Sequence, residues 1–257
     1  MINKWLLEEK RDLFIRDLVE NFFEAKVFFD KFYKKYKQGG SISFKEMDYW
    51  VGTEVKKGQL WNLKDECHAL FRDSKPEIGL CEHLFDWAFG SIFHECMKLK
   101  EDIYQIEAYK PVYLQFKQTS QVTAEVRETI KEIHLVIDKI EKDLASMLEG
   151  INRLFSEAAA QLKKLFSNYA KNGLLVRFLL ENRKLTETVF GENAFQEIFS
   201  SMYPDGLESA YFVAGISYLK GCWYKEAVGE FKKVLEINPQ NIKAKSEMDK
   251  AKSEILT

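Results

Sequence analysis

Three of the four cysteines and three of the four histidines of this 257-residue chain fall between Cys67 and Cys96, in the triplets ECH, CEH and HEC. Thiolate and imidazole are the donors zinc prefers, and Glu66, Glu82 and Glu95 stand beside them. Cys67, His68, Cys81, His83, His94 and Cys96 therefore make a candidate metal or small-ligand site, the heart of a helical sensor. The spacing argues against it. Residues two apart on one helix point about 200° from each other, so neither Cys81 with His83 nor His94 with Cys96 can chelate one ion. His83 and His94 share a face but lie roughly 16 Å apart along a helix, so Cys67 or His68 would have to complete the site from a neighbouring helix. The simpler expectation is that these cysteines are small buried hydrophobes, the histidines are interfacial, and no cofactor is held.

Other chemistry has no carrier. There is no HExxH, no ExxH pair of the di-iron kind, no GxGxxG, no GxxxxGK and no G-x-S-x-G. A non-enzymatic protein without catalytic residues is expected. Lys and Arg number 38 against 40 Asp and Glu, so no global field draws nucleic acid or an anionic membrane. The apolar stretch LLVRFLL from Leu174 is interrupted by Arg177 and falls far short of the roughly 18 residues a span needs. Glu8, Glu9 and Asp12 leave the start unlike an export signal, and the cysteines include no CxxC pair. A cytoplasmic protein with reduced thiols is expected.

The elements that must position any site are helical. Apolar residues are 46% of the chain and charged ones 30%, with four prolines, and no segment alternates with period two between turn residues. The expected fold is all-α: an N-terminal helical bundle over 1–115, a long heptad-patterned helix over 116–172, and helical hairpins over 173–257. Leu7, Phe14, Leu18, Phe22, Ala25, Phe29, Phe32 and Tyr36 predict one helix over 3–37. Ser43 and Glu46 form a capping box for a helix running to about Lys57, Asn62 can cap a short one through Phe71, and Ser74 with Pro76 can open another that ends near Ala108, before Pro111.

From Val126 through Ile130, Ile133, Ile137, Ile140, Leu144, Met147, Ile151, Leu154 and Ala158 the steps alternate four and three. Thr119 or Ser120 can start this helix and Asn172-Gly173 can stop it, with Gly150 the expected kink. After Met147 the stripe widens to Leu148, Phe155, Leu162 and Phe166, which points to packing inside the same chain. The narrower first half, 122–147, fits either an intramolecular bundle or a homodimer. Beyond it the pattern predicts helices over 174–189 and 193–202, then the turn YPDG.

Tyr211, Ala214, Gly215, Tyr218, Ala227, Phe231 and Pro239 fall at the offsets W-x2-L-G-x2-Y, A-x3-F and P. The segment 208–241 thus resembles one tetratricopeptide repeat (TPR) unit, and the lysine-rich helix after it resembles the solvating helix that closes such arrays. A single unit cannot bury its own face, so helices within 151–203 must cover it. The resemblance implies a scaffold or adaptor that binds a protein or peptide partner, and it implies that Ser209, Phe212, Ile216, Leu219 and Lys220 line the groove. Asparagines and bases, which line carboxylate-binding grooves of that family, are mostly missing here.

Overall fold

The structure is a computed structural model, and it describes residues 4–51, 65–66, 68–69, 72, 83, 90–118 and 123–256. Among these are ten α-helices and no strand: α1 (Lys4–Lys37), α2 (Phe44–Val51), α3 (Ser91–Lys117), α4 (Ala124–Leu165), α5 (Gly173–Glu181), α6 (Arg183–Phe190), α7 (Ala194–Met202), α8 (Leu207–Lys220), α9 (Tyr224–Ile237) and α10 (Ile242–Ile255). A 3-10 turn, Phe166–Tyr169, follows α4. No helix among the described residues is long and apolar enough to cross a membrane. By contacts the chain divides into two compact units, one of residues 1–23, 62–81 and 159–257, the other of residues 24–61 and 82–158.

In the second unit the stretch of α1 from Glu24 supplies Phe29 and Phe32, both buried, and the Phe29 ring sits 5.1 Å from Phe155 of α4. The capping box forms as expected: Glu46 N–H donates to Ser43 Oγ (3.2 Å) and Ser43 N–H to the Glu46 carboxylate (2.8 Å). Helix α2 rests on α3 through Phe44 against Tyr104 (5.2 Å between rings) and Lys100 with Asp48 (2.7 Å). Its proposed end at Lys57 and the helix proposed from Asn62 fall largely outside the described residues. Helices α3 and α4 run antiparallel, with Lys110 paired to Glu141 and the Tyr113 ring stacked 4.5 Å from His134.

Three boundaries differ from expectation. Helix α3 does not stop before Pro111 but carries it inside and continues to Lys117. Proline costs an interior helix one hydrogen bond, and here packing on α4 outweighs that local penalty. Helix α4 begins at Ala124, where Thr123 Oγ1 receives the Val126 N–H (3.4 Å). Asn172 does not stop it: α4 ends at Leu165, and Asn172 caps the following helix instead. Gly150 lies within the unbroken span of α4. The widened half of α4 is buried, with Leu148, Ile151, Phe155, Ala158 and Leu162 all below 4% exposure, whereas in the narrow half only Ile137 is.

In the first unit, the start of α1 buries Phe14, Leu18, Val19, Phe22 and Phe23, and Phe23 meets Phe178 of α5 and Phe190 of α6 edge-on at 5.3 and 5.2 Å. The single helix expected over 174–189 is two, because Asn182 turns out of helical conformation (φ −110°, ψ 38°) and spends its amide on the Phe178 carbonyl. Helices α8 and α9 are antiparallel: Asn238, past the end of α9, donates to Glu208 in the first turn of α8 (3.0 Å). They approach closely at Gly215, where an added Cβ would stand 2.6 Å from the Phe231 ring. Tyr218, Ala227, Phe231 and Val234 share one core with Ala244, Met248 and Ala251 of α10. Helix α5 covers the opposite side of α8, and Gly173 permits it, since a Cβ there would come within 2.6 Å of Ser217.

Candidate functional site

The side of α8 turned away from α9 opens on a cleft of about 810 Å³ within the first unit. Helix α8 and the turn after it contribute Phe212, Val213, Ile216, Ser217, Lys220 and Trp223. The first turns of α1 bring Glu8, Glu9, Arg11 and Asp12, and the segment leading into α5 brings Tyr169, Lys171, Asn172, Leu174 and Arg177.

Asn172 fixes that geometry. It is 2% exposed, its side-chain oxygen accepts from the Leu175 N–H (3.0 Å), and its amide donates to the Asp12 carbonyl (3.0 Å). One side chain thus starts α5 and ties it to α1. Burial raises the Asp12 carboxyl above its ordinary range, while the Arg11 guanidinium at 3.0 Å pulls the other way. On the far wall the Arg177 guanidinium lies 4.0 Å over the Tyr218 ring, whose hydroxyl donates to Glu181. Burial, then that bond to Glu181, raises the Tyr218 phenol well above its usual range. Arg177 and Glu181 thus tie α5 to α8, whereas Arg11 and Asp12 pair within α1. Lys171 and Lys220 form no ion pair among the described residues.

Of the residues expected to line a groove, the structure brings Phe212, Ile216 and Lys220 to the cleft. Ser209 is exposed outside its lining, and Leu219 turns onto the hairpin core. Phe212 and Ile216 also pack against the hairpin core, the Phe212 ring 5.8 Å from Phe231. Trp223, 56% exposed, was missed by pattern reading, although a large ring set in the tight turn Gly221-Cys222-Trp223 is itself an indication of a contact surface. Cys222 carries the turn at φ +60°.

The cysteine and histidine cluster is placed in part. Cys67 and Cys81 lie outside the described residues, His68 is half-buried and His83 exposed. His94 is exposed and Cys96 1% exposed, so two residues along α3 separate a solvent-facing imidazole from a buried thiol. Burial raises the Cys96 thiol well above its usual range. Among the described residues no three histidine, cysteine or carboxylate side chains converge on a point that could hold an ion.

Comparison of the chain with family models, with curated proteins and with solved structures gives no match.

Proposed function

We propose that this protein is a non-enzymatic adaptor or assembly factor whose TPR-like hairpin, α8 with α9, presents the cleft to a peptide or helix of another protein. The observation that carries this reading is the cleft's makeup: apolar side chains of α8 and an exposed tryptophan form its open wall, and Lys171 and Lys220 stand at its rim, Lys220 within electrostatic reach of Asp12. Of its other charged groups, Arg177 lies over Tyr218 of α8 and Arg11 pairs with its neighbour Asp12. Apolar walls with a few placed charges suit recognition of a short amphipathic segment. A cytoplasmic setting suits the free thiols Cys96 and Cys222.

Ile216→Asp combined with Trp223→Ala tests it. Affinity capture from cell extract with the wild-type chain should yield a partner that this double variant loses, with the melting temperature within a few degrees of wild type. Retention of the same partner by the folded variant would overturn the reading.

A further inference from the structure

The distal ends of α3 and α4 form a second concave surface, lined by Val112, Tyr113 and Phe116 of α3 and by Val126, Ile130 and Ile133 of α4. It encloses about 380 Å³, and Val112, Phe116 and Val126 are each 37–40% exposed. Among the described residues two helices meet here, α3 and α4, and the apolar stripe of α4 has a side against α3 and an exposed one.

Lys117 of α3 stands 5.7 Å over the Tyr113 ring, and the edge formed by α4 carries mainly acids. Within the second unit Glu128, Asp138, Glu141, Glu149 and Glu157 of α4 each face a base of this chain: Lys131, His134, Lys110, Lys37 and Arg153. Glu125, Glu132 and Asp143 have no ion pair among the described residues. At 100° per residue, Glu132 and Asp143 fall within about 20° of Glu125 around the helix, so the unmatched acids form one line along α4 that starts at the groove, which Glu125 borders, and continues about 15 Å past its last lining residue, Ile133. Lys139 is the only base of α4 within about 60° of that line between Glu125 and Asp143. At its far end Asp143 stands close enough to Asp102 of α3 to help burial raise that carboxyl. From Glu125 to Asp143 the line is about 27 Å long, the length of an 18-residue helix.

We propose that this groove docks a basic amphipathic helix of another protein, its apolar stripe on Phe116, Val126 and Ile133 and its lysines or arginines along Glu125, Glu132 and Asp143. An apolar floor beside one row of unneutralised carboxylates selects that partner over an acidic helix, and over a second copy, whose own row would bring acid toward acid. This site is independent of the cleft beside α8. Together the two surfaces would let one chain bridge two proteins.

The test uses the full chain and two 18-residue peptides with the same leucine stripe, one carrying lysines elsewhere and the other glutamates, followed by fluorescence anisotropy at physiological salt. The lysine peptide should bind at least tenfold more tightly. Glu125→Lys/Glu132→Lys/Asp143→Lys should weaken it tenfold or more, whereas Glu192→Lys/Glu226→Lys/Glu236→Lys, with the same net charge, should not. Phe116→Ser with Val126→Ser should weaken it similarly, and Ile216→Asp should leave it unchanged. Equal binding of both peptides, equal effects of the two triple variants, or a wild-type dimer in sedimentation that Phe116→Ser dissociates would each overturn the proposal.

Discussion

Two antiparallel helix pairs in this molecule are built on opposite plans. Between α8 and α9 the meeting residues are Gly215 and Ala227 around Phe231, and α10 then closes the free side of α9. Between α3 and the distal half of α4 the meeting residues are large: Tyr113 stacked on His134, Lys110 on Glu141, with Ile137 the buried apolar contact of α4. Small residues let helices approach until rings interlock, and a third helix completes the seal. Bulky, partly polar contacts hold the second pair together while leaving one side of its stripe in water. The contrast suggests that the first pair provides stability and the second provides surface.

Truncating an aromatic ring in each pair should show this most strongly. Phe231→Ala, at 0% exposure, is expected to cost about 3–5 kcal/mol in urea unfolding, and Phe116→Ala, at 37%, about 0.5–1 kcal/mol. Equal losses would break the comparison. Glycine substitution should give opposite signs. Gly215→Ala forces a Cβ against Phe231 and should lose about 1–2 kcal/mol after the gain in helix propensity, while Gly150→Ala, with nothing within 4 Å, should gain about 0.5–1 kcal/mol.

The caps should differ less. Asn172→Ala removes a buried cap and the tie to α1, and is expected to lower stability by about 1–2 kcal/mol. Thr123→Ala removes a long, exposed bond and should lower it by about 0.5 kcal/mol, both by thermal melting.

The smallest effect lies in pH. Burial, then Asp143 and Glu101, raise the Asp102 carboxyl above 3.8, so the folded state holds that proton more tightly than the unfolded chain. Its contribution is fully present below 3.8 and is lost as pH rises through the raised value. Asp102→Asn should therefore flatten the fall of the urea midpoint between 3.8 and the raised value, and an unchanged profile would show that the folded state does not hold that proton more tightly.

Much of the helix content was legible because local rules and packing agreed. The first helix ended at Lys37 as its apolar spacing required, and Ser43 with Glu46 formed the bonds their spacing allows. The broad stripe after Met147 went inside. Where the reading failed, tertiary contact overrode a local preference: Pro111 was carried within a helix held against α4, and Asn172 served the helix after it because Asp12 lay within reach. The cleft was half legible. Phe212, Ile216 and Lys220 follow from the hairpin pattern, but Glu8 to Asp12 are some 200 residues away along the chain and nothing in their spacing marks them. The unmatched carboxylates of α4 became visible only once the partners of its other acids were known.

Pro111 gives the open pair one more property. With no N–H to offer the Glu107 carbonyl, it interrupts the hydrogen-bond ladder of α3 immediately before Val112. The amides from Val112 to Lys117 can then trade their protons for deuterium in openings that leave Ser91 to Tyr109 untouched. The far tip of α3 is thus expected to exchange as a short segment of its own, ahead of the rest of the helix.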